Sequence, residues 1–142
     1  MKFYMVLVLV GMVQVSSSVR DSLVRDVEGG YRREKIEFER RYGKARYECR
    51  VMSMSMFPGF CMDSVKIGRI KHGVGEYRDG EGRKHVQIMV MSYVRWMEGV
   101  EPDRKSYVVR GYVLEDGEWR RDRDIRVDLV MIDRKRVWYG CE

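Results

Sequence analysis

Five side chains have the chemistry of nucleophiles or transition-metal ligands: Cys49, Cys61, Cys141, His72 and His85. Zinc knuckles and thioredoxin-type redox pairs space two thiols as C-x-x-C, and no such spacing occurs. His72 and His85, with Cys61 and Asp63, carry metal-donor atoms at a spacing that matches no ligand pattern. A Cys61–His85 nucleophile pair would need the imidazole held against the sulfur and an acid to orient it. The pattern supplies neither. Asp122 with Asp124, and Glu115 with Asp116, form acid/base pairs by residue type alone. They lie in or beside arginine-flanked turns, and a catalytic carboxylate needs a perturbing environment. Gly73, Gly75, Gly80 and Gly82 loosen the stretch 73–82 without the strand–loop–helix setting of a phosphate loop. The expectation is a protein without catalytic residues, metal or cofactor.

The cysteines then read as disulfide candidates: Cys49, Cys61 and Cys141 allow one bridge and one spare thiol in an oxidising compartment. If Pro58-Gly59 turns a hairpin, Cys61 falls opposite Met56. Cys49 then lies about 23 Å farther along at strand rise, too far for a bridge that needs Cα atoms within about 7 Å. Cys141 is therefore expected in the bridge, with Cys49 approached if the last strand pairs with an early one.

Binding chemistry is better represented. Basic clusters occur at Arg32-Arg33 with Lys35, Arg40-Arg41 with Lys44 and Arg46, Arg120-Arg121 with Arg123, and Arg134-Lys135-Arg136. Tyr31, Tyr42, Tyr47, Trp119 and Trp138 lie close to them. Aromatic side chains among cations can hold nucleic acid or an acidic glycan. Glu34, Glu37, Glu39, Asp122 and Asp124 interrupt every cluster except the last. The ordinary reading of such turns is a solvated surface, so Arg134, Lys135 and Arg136 are the leading polyanion contacts, with Arg120 and Arg121 behind them. No DNA-specific recognition pattern is visible.

The net charge of +6 permits acidic partners. Both signs are spread through the chain, however, and the composition points to a G-rich, C-poor coding strand: Asn and Thr are missing, and Ala45 is the single alanine. Part of the arginine excess then follows codon composition. At the N-terminus, Lys2 precedes an apolar run from Phe3 to Val13, and Val15-Ser16-Ser17-Ser18 offers cleavage positions. This is the layout of a secretory signal peptide over 1–18, and a membrane span needs about 20 apolar residues. The alternatives are a buried first strand and an uncleaved anchor. Residues 19–142 are expected as one β-rich domain, secreted or extracytoplasmic.

The elements that must position these residues are mostly strands. Leu23, Val24 and Val27 make a short helical stripe that Gly29-Gly30 should end. Arg46–Phe57 and the weaker 62–77 read as strands around the Pro58-Gly59 turn. Lys84–Met97 is apolar on both faces and reads as a central strand. Asp116-Gly117 suits a type I′ hairpin turn, with Leu114 facing Trp119 and Tyr112 facing Arg121. Ile125, Val127, Leu129 and Met131 alternate with Arg126 and Asp128, so one face meets a core. A second turn at Arg134-Lys135 sets Ile132 opposite Val137. The fold expected is mainly β: an antiparallel meander of seven or eight strands, a small barrel or sandwich, after a short N-terminal helix. The alternative is an α+β roll in which residues 19–42 form one helix on a curved sheet. The phrase Leu114-Glu115-Asp116-Gly117-Glu118-Trp119 resembles hairpins of the cystatin-like and nuclear-transport-factor-like rolls, but covers six generic residues and names no family.

Three function classes follow. An exported binding or interaction protein, touching acidic surfaces or polymers, needs only an export signal, a cross-linked sheet and charged turns. A membrane-anchored accessory subunit would keep the N-terminal run. A small enzyme would need a convergent polar site around His85 and Cys61.

Overall fold

A computed structural model describes residues 16–52, 58–65, 69–71, 73–99 and 101–141. It is mainly β, with 53% strand, one N-terminal helix and an antiparallel sheet that does not close into a barrel. Helix α1 spans Ser17–Arg41. The strands are β1 (Ala45–Val51), β2 (Arg69–Lys71), β3 (Val74–Arg78), β4 (Lys84–Trp96), β5 (Arg104–Glu115), β6 (Glu118–Ile132) and β7 (Lys135–Gly140). A 3-10 helix, Gly59–Ser64, lies between β1 and β2. The sheet order is β2-β3-β4-β5-β6-β7, and β1 joins β4 beyond the end of β3.

The helix is much longer than its apolar stripe suggests. Ser16 caps it, its hydroxyl accepting from the Val19 N–H. It then runs through Gly29 and Gly30 and ends at Arg41. Each internal glycine costs about 1 kcal/mol of helix propensity. Leu23, Val27 and Tyr31, buried against the sheet with Phe38 partly buried a further turn and more along, outweigh that cost. The helix therefore has the extent of the roll-like alternative, 19–42, and not that of a short stripe.

Strand β4 is the centre, as its two apolar faces imply. Val86, Ile88 and Val90 pack under the helix with Tyr47, Val74 and Tyr112. On the other face Met89 joins Met52, Cys61, Tyr107, Val109, Ile125, Val127 and Leu129. The helix thus covers one face, and the stretch between β1 and β3 contributes Met52 and Cys61 to the other. Gly73 allows the two ends of that stretch to meet: it has φ +77°, and a Cβ there would sit 2.1 Å from the Met52 carbonyl oxygen.

The first hairpin has the expected register, Leu114 opposite Trp119 and Tyr112 opposite Arg121, with positive φ at Asp116 and Gly117. A β-bulge follows. Gly111 stands against Asp122 and Arg123, and pairing resumes at Arg110 opposite Asp124. The bulge turns Ile125, Val127 and Leu129 to the face away from the helix, whereas Tyr112 and Trp119, on its turn side, pack under the helix. The second hairpin turns at Asp133-Arg134, both at positive φ, and not at Arg134-Lys135. Two-residue type I′ turns match strand twist and demand positive φ at both positions. Ile132 therefore faces Lys135, and Trp138 faces Leu129 where Met131 was expected. The shift is two residues, so every side chain keeps its face. Among the cysteines, Cys141 bonds Cys61, with Cα atoms 5.5 Å apart, and Cys49 stays free. Cys141 is in the bridge as expected, but the condition for its approach to Cys49 is not met: β7 pairs with β6 and not with an early strand, and the 3-10 helix after Pro58 carries Cys61 under the sheet to the end of β7. The expected partner strand of Cys61, including Met56, lies outside the described residues.

Candidate functional site

The sequence-derived candidates differ in charge compensation and in what lies beside them. Arg120 and Arg121 lie near the β5–β6 turn, and Arg134, Lys135 and Arg136 lie at the opposite end of β6, roughly 35 Å away at strand rise. The two clusters do not form one surface. Arg121 is paired with Asp124 at 3.0 Å, and Asp124 also holds Arg110 at 3.1 Å. Arg120 lies 3.6 Å from Glu118. In the other clusters, Lys35 pairs with Glu39 and Lys44 with Glu98, while Arg32, Arg33, Arg40, Arg41, Arg46 and Arg123 form no ion pair among the described residues. Among the described residues, no ion pair engages Arg134, Lys135 or Arg136.

That unpaired turn adjoins exposed apolar surface. Trp138 and Tyr139 are 38% and 51% exposed, and Met131, Ile132 and Phe60 are exposed beside them. Phe60 meets Trp138 edge-on at 5.6 Å, and Tyr107 lies 6.0 Å from the same ring. The arrangement follows from the chain. The type I′ turn aims three cations outward, β7 alternates Trp138 and Tyr139 between the sheet faces, and the Cys61–Cys141 bridge holds Phe60 against Trp138. Gly140 makes the last step possible: it has φ +112°, and a Cβ there would sit 2.6 Å from the Arg126 carbonyl oxygen. The Cys141 N–H donates to that same oxygen at 2.9 Å. The signal for the aromatic part was present in Trp138-Tyr139. Phe60 carried none, because only the disulfide brings it there.

The chemistry-bearing residues are otherwise engaged. The Cys61 sulfur is bridged, so it is neither a nucleophile nor a thiolate ligand for a site with His85 and Asp63. His72 lies outside the described residues. His85 is buried and stacked on Tyr77 at 4.5 Å. Its Nε2 lies 2.7 Å from Asp79 Oδ2, and its Nδ1 3.5 Å from Asp122 Oδ2. The His85 hydrogen bond, with the Arg83 and Glu81 N–H groups and the Arg83 side chain, holds the Asp79 carboxyl well below the usual carboxylate range. Both ring nitrogens face carboxylates, an arrangement that clamps the β3–β4 turn to β6. Sequence reasoning missed Asp79 here, having read the stretch 73–82 only for its glycines.

Two hollows flank the helix. One, about 170 Å³, is lined by Tyr31, Lys35, Cys49 and Val90 among others. Burial raises the Cys49 pKa, which disfavours the reactive thiolate. The second, about 480 Å³, is open and lined by Val19, Leu23, Asp26, Tyr112, Trp119 and Arg121. Its charged groups are already engaged: Tyr112 donates to Asp26 at 2.9 Å, and Arg121 to Asp124. No cluster of His, Cys, Asp or Glu suited to a metal occurs among the described residues.

Comparison with protein-family models, with curated proteins and with solved structures finds no match to this chain.

Proposed function

We propose that this chain is a small exported binding protein without catalytic activity, which contacts acidic surfaces or polymers through the β6–β7 end of its sheet. One observation carries the reading: Arg134, Lys135 and Arg136, which form no ion pair among the described residues, adjoin exposed Trp138, Tyr139 and Phe60. Arginine and large aromatic residues dominate the energetic centres of interfaces. A cation without an internal partner keeps its full charge for an external one.

Export rests on the N-terminal layout of Lys2 through Ser18. The Cys61–Cys141 disulfide is compatible with an extracytoplasmic site. Mass spectrometry of the protein from its own cell is expected to show a chain shortened near Ser17 or Ser18; a soluble cytosolic chain retaining its first residues would remove export from the reading.

The binding test uses heparin and poly-glutamate as polyanion probes. Affinity is expected to fall steeply with added salt, through counterion release in the case of heparin. The triple substitution R134S/K135S/R136S is expected to weaken binding at least tenfold, and R120S/R121S to change it less than twofold. Equal affinity of the triple variant and the parent would eliminate the turn as the contact.

A further inference from the structure

Strand β7 is the last in the sheet and bonds only to β6 among the described residues. The Cys141 N–H to Arg126 carbonyl bond sets the hydrogen-bonding phase. Antiparallel ladders alternate, so Lys135, Val137 and Tyr139 turn their backbone groups to β6. Arg136 and Trp138 turn theirs away from the sheet. Strand β1 offers a contrast. The outward N–H of Tyr47 is bound by Glu39 of the helix at 2.9 Å, and the Tyr47 carbonyl by Lys35. The helix caps that edge, and no comparable side chain caps Arg136 or Trp138 among the hydrogen bonds of the described residues.

We propose that the free edge of β7 is a docking strand for an extended acidic segment of a partner polypeptide, which adds to the sheet beside β7. This rests on the binding reading above and deepens it. The six residues Lys135–Gly140 present roughly 20 Å of edge, enough for a partner strand of five or six residues. Main-chain bonds at Arg136 and Trp138 supply affinity, and side chains on both faces supply selectivity. The charge decides the occupant. Going from the turn, the edge is cationic at Arg134, Lys135 and Arg136, then aromatic at Trp138 and Tyr139, and β7 itself contains no carboxylate. Parallel addition of a second copy of β7 would set cations against cations, antiparallel addition would set them against aromatic rings and neutralise none of them, and cationic edge residues are a device against self-pairing. An acidic segment with an apolar end satisfies both halves.

The probe is a blocked hexapeptide of three valines followed by three glutamates, beside the reversed sequence. Because β7 runs from cationic to aromatic, the first order suits antiparallel addition and the second parallel addition. Twins of each carry N-methyl groups on alternate peptide nitrogens, in one phase or the other, leaving charge unchanged. Calorimetry is expected to show binding of at least one order, lost tenfold or more in the single twin whose methyl groups face β7. Amide exchange at Arg136 and Trp138 is expected to slow at least tenfold in the complex. Arg136→Glu, at an exposed position, is expected to weaken binding at least tenfold. Equal binding by both N-methyl twins, with unchanged exchange at Arg136 and Trp138, would overturn strand addition and leave a plain polyanion patch. Heparin binding with no peptide binding would do the same. If neither binds, the polyanion reading falls with it. Protection of the two amides in the free protein, accompanied by a dimer in sedimentation, would assign the edge to a second copy and reject the proposal.

Discussion

The two faces of the sheet are finished in different ways. Under the helix, secondary structure does the covering and polar groups are paired across the seam. Tyr112 reaches Asp26, Lys35 and Glu39 bind the Tyr47 backbone, and Arg20 lies 3.7 Å from Glu76. Arg110 bonds Asp124 and lies over the Tyr31 ring. On the opposite face the Cys61–Cys141 bond ties an irregular stretch to β7. At that end of the sheet Trp138 and Tyr139 stay partly in solvent, one on each face of β7, and Arg134, Lys135 and Arg136 form no ion pair among the described residues. A helix brings backbone-satisfying side chains at regular spacing and leaves little surplus at the seam itself. A covalent staple fixes one point and leaves its surroundings open, and surplus of that kind suits recognition of another molecule.

The largest effect expected from breaking this contrast comes from the staple. Cys61 and Cys141 are separated by 80 residues, and closing a loop of that length restrains the unfolded chain by about 4 kcal/mol. The C61S/C141S variant is expected to lose a stability of that order in urea unfolding, with the helical circular dichroism signal below the transition unchanged. Phe60 is also released from Trp138, so Trp138 emission should shift red. A loss under 1 kcal/mol would show that the β7 end is held by packing instead.

How far the two faces were legible in the sequence follows the same division. Apolar residues on both faces of Lys84–Met97 identified the central strand, and alternation in Ile125–Leu129 a core-facing strand, because a period of two has one structural meaning. Asp116-Gly117 identified its turn, because few dipeptides accept positive φ twice. Asp133-Arg134 did not, since arginine is a poor marker of that conformation. Gly111 inside a strand was a bulge signal left unused. Gly29-Gly30 misled, because long-range burial of Tyr31 and Phe38 overrode local propensity. The cluster of Arg134, Lys135 and Arg136 was visible as a run of letters. That those cations form no ion pair among the described residues, whereas Arg121 forms one, depends on the register of β6 and could not be read from spacing.

Those helix glycines give the next effect, of opposite sign. A Cβ on Gly29 or Gly30 would approach only the Arg33 side chain, at 3.7 and 3.9 Å, and neither has positive φ. Alanine removes the glycine penalty of about 1 kcal/mol per position. G29A/G30A is therefore expected to raise stability by about 2 kcal/mol in urea unfolding while polyanion affinity stays within twofold. Weaker binding in this variant would couple the helix face to the β7 end, contrary to the separation drawn above.

The smallest effect concerns the pairing under the helix, and pH exposes it. Burial, with Asp26 as hydrogen-bond partner, raises the Tyr112 pKa; burial is also the main cause for Tyr47 and Tyr31. All three line the helix seam. A raised folded-state pKa means that the unfolded chain ionises first. The stabilisation is therefore complete below the ordinary tyrosine value of about 10 and is lost as pH rises from there toward the folded value. Between pH 9 and 12 the helical signal is expected to fall in step with tyrosinate absorbance. Tyr112→Phe removes one hydrogen bond to an exposed carboxylate, so at neutral pH it costs about 1 kcal/mol. It also removes one ionising group from the seam, so the alkaline loss should be shallower than in the parent. An alkaline limb identical in Y112F and the parent would place the pH-sensitive contact away from Tyr112, and the helix face would then owe its closure to packing more than to paired polar groups.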